Sequence, residues 1–422
     1  VGLLSIKNLQ PGMILSGDIT DRMGRLLMTR GTVLTEKYLK ICKMWGVVEA
    51  QIEGASGEDF NASTLNDLEP VELTRISESV RERFCHTDPE HPAVRELIRL
   101  CILRTAEGNS TDQDCFPRET CSAGETRRPQ KRHARDINPL EFIGENTKLS
   151  TLPDIYRQLI DAVAQPSSST YDIENVISKD TNLSARLLKI VNSAFYGYPS
   201  RIDTLSRAVS IIGTKQLSTL CMGVNIINIF NKIPSDIINM KMFWKHSVLC
   251  GICARILAGY KNVQNTERMF TAGLLHDIGR LICYNYLPKE SLDAFRTAKE
   301  IRQLLYLAER DIFSLDHATL GGHLLNRWQM PPSLEDMVRY HHEPQKSKNQ
   351  VEASLIHLAD IMANAMGIGS SGERLIPPLH QEAWVRLGLT PNILSLAIEQ
   401  ADYQLEDVFK VIYADEESKK RS

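Results

Sequence analysis

The chain has 422 residues, 42% of them hydrophobic and 24% charged, with a formal net charge of −3. That length suits two or three domains with a sizeable core in at least one, and the near-neutral balance gives no global field favouring nucleic acid or an anionic membrane. No apolar run reaches the length that crosses a bilayer: the longest, Leu217 to Phe230, is interrupted by Ser218, Thr219, Asn225 and Asn228.

The opening residues, VGLLSIKNLQPGM, lack the basic-then-apolar layout of a signal peptide, although the absent initiator Met leaves room for a leader already removed. Nine cysteines at irregular spacing suit reduced, buried thiols, so the expectation is a cytoplasmic protein with no membrane partner. Cys250 and Cys253 have CxxC spacing in mid-helix with no second pair, and read as small core residues.

Residues 1–54 read as a small β-rich regulatory domain. MILSGDIT and GRLLMTRGTVLT are strand-like and separated by a turn at Asp21 to Gly24; Thr35 caps a short helix ended by Gly46, and VVEAQIE closes as a strand. Residues 55–138 comprise an acidic linker, a helical pair broken at HTDPEHP, and a polar tether whose basic cluster is Arg127, Arg128, Lys131, Arg132 and Arg135. From Pro139 onward apolar residues recur every three or four positions, in LPDIYRQLIDAV, LSARLLKIVNSAF, FWKHSVLCGICARILAGY and EASLIHLADIMANAM. The fold class expected is mainly α: an all-α helical domain over 139–366, with closing helices over 367–422 in which Thr390 caps and Pro391 enters the first turn.

The second half carries an ordered series of imidazoles and carboxylates: His246, His276 with Asp277, His317, His341 with His342, and Asp360. These are ligands for Fe or Mn, with Zn or Mg as further choices, and helical bundles commonly hold such ions between facing helices. His246 shares a face with Leu249, Cys253 and Ile256; Asp360 shares one with Ile356; Asp277 lies one turn before Leu281. Carboxylates on inward faces are costly without a cation, so this pattern points to one or two divalent ions or to a shared polar network. Asp277 is the best bridge between two ions, with His317 and one of His341 or His342 completing the second site. If the site is active, Asp277 is the catalytic carboxylate, and the chemistry is activation of a bound water against a phosphoryl group. No GxSxG, P-loop or GxGxxG offers another chemistry.

The order H…HD…D, made by His246, His276–Asp277 and Asp360, resembles the HD superfamily of metal-dependent phosphohydrolases. His317 and HHE (341–343) are similar to the HD-GYP branch, whose members cleave cyclic dinucleotides. The segment ISKDTNLSARLLKIVNSAFYGYPSRIDTLSRAVSIIGTKQL (177–217), continued by FWKHS, AGLLHDIGRL, DHATLGGHLLNRWQMP and HHEP, resembles the HDOD domain, the HD-related output domain of bacterial signalling proteins. The HD-like core then spans about 240–366. The first 54 residues are similar to the small domain that precedes some HD-GYP proteins. The chain departs from HD-GYP in two places: its only GYP, at 197–199, precedes the HD pair, and HDIG is followed by Arg280 rather than Lys.

The HDOD resemblance implies a signal-transduction protein with a regulatory or interaction output, whose partner is a signalling protein or a nucleotide second messenger. The HD relatives imply the alternative of a phosphodiesterase or phosphohydrolase, with Arg280 as a phosphate-binding residue. A di-iron redox or oxygen sensor is a third reading on the same ligands. Tyr196, Tyr198 and Arg201 form either a contact for that partner or an inter-helix turn in which the tyrosines pack. Oligomeric state has no signature in the sequence.

Overall fold

Short strands open the chain, β1 (Gly2–Ser5), β2 (Ile19–Thr20), β3 (Leu26–Met28) and β4 (Glu49–Ile52), with helix α1 (Glu36–Met44) before the last. β1 pairs antiparallel with β4, and β2 with β3. Thr35 Oγ1 accepts the Tyr38 N–H at 3.3 Å, the cap expected from sequence. Leu9, Leu15, Ile19, Leu34, Cys42 and Ile52 make a small core of their own. The β content is therefore confined to a few residues per strand.

The computed structural model describes residues 2–5, 9–20, 26–44, 47, 49–53, 70–108, 139–143, 154–165, 169–196, 198, 201–230 and 233–413. The expected turn at Asp21 to Gly24, Gly46, most of the acidic linker, the basic cluster at 127–135 and the Gly197 and Pro199 of the GYP triplet lie outside them.

The helical pair follows as α2 (Pro70–Arg83) and α3 (Pro92–Ala106). HTDPEHP divides them because Pro92 fits the first turn of a helix but not its interior. His91 Nδ1 accepts the Ala93 N–H at 3.2 Å and so caps α3.

All further described regular structure is helical. Helices α4 (Asp154–Ala164), α5 (Thr170–Ser178), α6 (Thr181–Val191), α7 (Leu205–Ile212) and α8 (Thr214–Ile226) form the first half of the domain. Their starts obey local rules: Ser169 and Asp172 make a reciprocal capping box on α5, Asp180 caps α6 and Thr204 caps α7. The second half runs α9 (Met240–Tyr260), α10 (Thr266–Leu275), α11 (Ile278–Tyr286), α12 (Pro288–Glu300), α13 (Leu305–Phe313), α14 (His317–Arg327), α15 (Pro332–Arg339) and α16 (Gln350–Met366). Helices α17 (Gln381–Leu387) and α18 (Asn392–Tyr413) close the chain. The helix α18 begins at Asn392, so Pro391 precedes the first turn it was expected to enter, and Thr390 Oγ1 donates to Asn392 Oδ1.

Helices α9 and α16 are buried along most of their length and pack on each other, with α10 and α18 also against α9. A helix apolar on every face belongs in the middle of a bundle. Cys250 and Cys253 lie in this centre as free, buried thiols, and burial pushes both thiol pKa values up. They are core residues, as their context suggests.

Two glycines set how closely α9 and α10 approach. A Cβ on Gly273 would lie 2.7 Å from Gly251 Cα, and one on Gly251 would lie 2.6 Å from the Phe270 carbonyl oxygen. The two backbones therefore touch, which brings His246 on α9 beside His276 at the end of α10.

Candidate metal centre

Each candidate ligand stands at a helix end or on a buried helix face. His246 is on α9 and Asp360 on α16; His276 ends α10 and Asp277 precedes α11. Asp277 occupies the position before a helix where Asp ordinarily caps, yet its side chain makes no cap hydrogen bond. It is turned instead toward the histidines. His317 is the first residue of α14, held by the Asp316 cap to the Thr319 N–H at 2.8 Å. His341 and His342 lie in the turn after α15. None of the seven is more than 6% exposed.

Backbone carbonyls decide which ring nitrogen faces inward. A carbonyl only accepts, so His276 Nδ1 donates to Gly273 O at 2.7 Å and His341 Nδ1 donates to Val338 O at 2.7 Å. In both residues Nε2 therefore points into the cluster. Burial opposes charge on His276, but Asp277 outweighs it and raises that ring well above its ordinary value, so its Nε2 holds a proton when no cation competes for it. Glu309 Oε2 accepts from His317 Nδ1 at 2.6 Å and from the His317 N–H at 2.9 Å, which aims that Nε2 inward as well. A carboxylate behind a ligating imidazole raises its basicity and fixes its plane.

The inward atoms fall into two adjoining groups. In the first, His276 Nε2 lies 3.1 Å from Asp277 Oδ2, 3.3 Å from Asp360 Oδ1 and 3.4 Å from His246 Nε2. In the second, His317 Nε2 lies 2.9 Å from Asp277 Oδ1, 3.1 Å from His342 Nε2 and 3.4 Å from His341 Nε2. Asp277 thus offers one oxygen to each group. Both His341 and His342 belong to the second, where the sequence left the choice between them open. A third combination, His276, His341 and Asp360, overlaps both, so the two groups form one continuous cluster.

These spacings fit a cation. Nitrogen and oxygen ligands about 2.1 Å from a divalent ion stand about 3.0 to 3.4 Å apart in octahedral or tetrahedral arrangements. With these Nε2 atoms unprotonated, nitrogens at such separations present lone pairs to one another, a repulsion that a cation between them removes; without a cation, protons on some of the rings do so. His246 Nδ1 is in addition buried with no hydrogen-bond partner, so that ring is held by its Nε2 side alone.

The electrostatics agree with ligand chemistry. Burial, together with His276 and His317, pushes His341 down to about 3, and burial with His341 and His317 holds His342 well below its ordinary value. Both are neutral near pH 7, the form that binds metal. Burial opposes ionisation of Asp277, but Arg280, His276 and His317 outweigh it and hold the carboxyl well below the usual range. Asp360 is likewise held down, by hydrogen bonds from His246 and His276, against its burial. Burial and Arg280 depress His317, yet Glu309 and Asp277 raise it to about 9, so a proton occupies this ring when no cation competes for it.

Arg280 stands elsewhere than the sequence suggested. Its guanidinium is 2% exposed and lies 3.1 Å from Glu309, 3.6 Å from Asp277 and 2.6 Å from Ser371 Oγ. The group expected to receive a phosphate is enclosed by carboxylates and offsets the charge of Asp277 and Glu309. Tyr196 and Tyr198 stack on each other at 6.0 Å, with the Arg255 guanidinium 4.9 Å from the Tyr196 ring, while Arg201 remains exposed. The tyrosines pack on each other and beside Arg255, an arrangement that either reading allows.

Several residues of the centre escaped sequence reasoning. Glu309 shares a face of α13 with Leu305, Ala308 and Phe313, so a carboxylate on an apolar stripe was its signal. His357 and His380 were passed over as well. His357 Nδ1 donates to the His341 carbonyl at 2.8 Å and His380 Nε2 to the His342 carbonyl at 2.9 Å, which pins the double-histidine turn. Burial and His380 push His357 down to about 4, which keeps it neutral, and its Nε2 accepts the His380 N–H at 3.2 Å.

Residues 149–344 match the pattern of the HDOD domain. The chain is 25% identical over 199 residues to an uncharacterized protein of Treponema pallidum; the match covers 46% of this chain and only 38% of that relative. A crystal structure of an HDOD domain protein of unknown function from Geobacter sulfurreducens superposes with a TM-score of 0.55 at 20% identity, covering 65% of this chain and 96% of that one. A candidate phosphohydrolase from Shewanella amazonensis superposes with a TM-score of 0.51 at 23% identity, over 65% of this chain and 97% of that one. At such identities the likeness establishes the fold, an HD-like helical domain.

Proposed function

We propose, for a chain whose residues 149–344 carry an HDOD domain, that it is a cytoplasmic signal-transduction protein in which this domain is a regulatory or interaction output. At its heart is a divalent-metal centre held by His246, His276, Asp277, His317, His341, His342 and Asp360, with one or two ions of Fe, Mn, Zn or Mg. Residues 1–54 are its small regulatory domain, 55–138 the connecting segment, 139–366 the output domain and 367–422 the closing helices. The partner is a signalling protein or a nucleotide messenger.

The observation that carries this reading is the combination of convergence and burial. Ligand atoms gather at metal spacing, but no ligand is more than 6% exposed. A bare cation reaches such a place through small fluctuations, whereas a cyclic dinucleotide needs an open pocket. A centre of this kind stabilises one arrangement of α9, α11, α14 and α16, and binding energy becomes conformational energy.

The second reading, a metal-dependent phosphohydrolase, is favoured by the divided carboxylate of Asp277, whose oxygens lie 3.1 Å from His276 and 2.9 Å from His317. Bound metal would supply a water activated at neutral pH and charge to offset a phosphoryl oxygen. Asp277 would hold both halves together, while Glu309 and Arg280 keep His317 and Asp277 oriented.

Elemental analysis of the purified chain and of Asp277→Ala tests the centre; equal metal in both would remove the assignment. Incubation of the loaded protein with cyclic di-GMP, a linear dinucleotide and a generic phosphodiester then separates the readings. Metal without turnover supports the regulatory output, and turnover abolished by Asp277→Ala supports the hydrolase.

A further inference from the structure

The helices α2 and α3 lie, in sequence, between the N-terminal strands and the HDOD domain, but they are bound to the end of α16. Arg83, the last residue of α2, donates from Nη2 to the Asn364 carbonyl at 2.5 Å. The Arg83 carbonyl in turn accepts the Ile376 N–H at 2.8 Å. On α3, Cys101 Sγ donates to the Ala365 carbonyl at 2.9 Å, and Arg104 pairs with Asp402 of α18 at 2.5 Å.

The carbonyls of Asn364 and Ala365 belong to the last turn of α16, where intrahelical N–H donors run out; the Gly367 N–H reaches the Asn364 carbonyl at 3.2 Å, and Arg83 gives that oxygen a second donor. A guanidinium at this end also meets the negative pole of the helix. Arg83 and Cys101 therefore reinforce, from outside the helix, the cap that Gly367 makes.

Asn364 faces the other way with its side chain. It lies one turn after Asp360, and its Nδ2 donates to Asp360 Oδ1 at 2.7 Å and to the Asp360 carbonyl at 3.1 Å. Asp360 Oδ1 is also the oxygen that lies 3.3 Å from His276 Nε2 and 3.5 Å from His246 Nε2. One hydrogen-bonded chain thus runs from the end of α2, through the last turn of α16, to a candidate metal ligand.

We propose that Asn364 and Arg83 are positioning residues for Asp360, and that through them the α2–α3 pair sets the affinity of the metal centre. This inference rests on the metal-centre reading above. Undocking α2 takes the charged donor from the Asn364 carbonyl and leaves it to Gly367 alone; Asn364 is then less firmly placed, and with it one of the bonds that hold the Asp360 rotamer. Linkage makes the effect reciprocal: metal at Asp360 tightens the docking of α2 and α3 to the same extent.

The test uses the full chain and Co(II) alone, titrated against nitrilotriacetate and followed by its visible absorption. Amide hydrogen exchange over residues 70–106 is measured with and without Co(II). Asn364→Ala is expected to weaken Co(II) by about 10- to 100-fold, as for other residues that orient a ligand, and to change the absorption spectrum. Arg83→Met is expected to weaken it by about 2- to 30-fold. In the unsubstituted chain Co(II) is expected to slow exchange over 70–106, and in Asn364→Ala to leave it unchanged.

Wild-type affinity and spectrum in both variants would overturn the proposal. So would exchange over 70–106 indifferent to Co(II) in the unsubstituted chain, an arm that needs no variant to fold. A loss in Asn364→Ala with none in Arg83→Met would overturn the role of the helix pair. If the unsubstituted chain takes up no Co(II), the metal-centre reading itself fails, a result distinct from these.

Discussion

Replacing Gly279 by Ala sets two opposed effects against each other in the helix that follows Asp277. Ala is the better helix former by about 1 kcal/mol, so in an open helix the change would stabilise. Here α11 and α14 cross backbone to backbone: a Cβ at 279 would lie 2.0 Å from the His317 carbonyl oxygen and 2.8 Å from the Gly321 nitrogen. Neither contact is relieved by rotating a side chain, so the helices must part by on the order of 1 Å, at an overpacking cost of about 3 kcal/mol.

The clash wins, and the net loss is about 2 kcal/mol, or roughly 4–8 °C in Tm for a domain of this size. The same separation moves His317 from Asp277, whose Nε2 and Oδ1 now lie 2.9 Å apart, and a metal shared between them is expected to bind at least about tenfold more weakly. Thermal unfolding with and without Mn(II), together with metal content, measures both effects. A variant as stable as the parent, or more so, would refute the backbone-contact argument; unchanged metal content would refute the link from that contact to the centre.

Glu309→Gln leaves the ligands in place but removes the charge behind His317, and should weaken metal by about 10- to 100-fold; isothermal titration showing parent affinity would count against that role. A metal at about 100 times its Kd should add about 2.7 kcal/mol to folding stability, so a chelator should lower Tm by several degrees, and an indifferent Tm would contradict a buried centre. Asp180→Ala removes a side chain that accepts the Asn182 and Leu183 N–H groups at the start of α6, and should cost about 1 kcal/mol in urea unfolding with no change in metal content. Burial pushes the Cys42 thiol up to about 11, so iodoacetamide at pH 8 should modify exposed Cys85 well before Cys42, as read by peptide mass mapping; equal rates would show that the small N-terminal core opens freely.

Much of the site was legible before any fold was known, because its chemistry is local. Imidazoles and carboxylates on otherwise apolar helical faces announce themselves: His246 with Leu249 and Cys253, Asp360 with Ile356. The position of Asp277 one turn before Leu281 did the same. Helix starts were legible for an equally local reason, since a Thr35 or a Pro92 acts on amides within its own turn. Glu309 and Asn364 were overlooked although each sits on a buried face, because a single polar residue in a helix is ordinarily satisfied by its neighbours and carries no label for what it touches.

The sequence by itself determined the mainly helical class, the ligand types and the order in which they occur. Those follow from side-chain chemistry and from a period of 3.6 residues. Only the tertiary structure decided that Asp277 gives one oxygen to each group, that both His341 and His342 join the second, and that Arg280 faces Glu309 and Ser371. It also decided that α2 braces the end of a helix nearly three hundred residues away, through the contact of Arg83 with Asn364. Each of these depends on where backbones cross and on which carbonyl lies behind which ring. Those distances are fixed by long-range packing, such as the meeting of Gly251 with Gly273, and no local pattern encodes them.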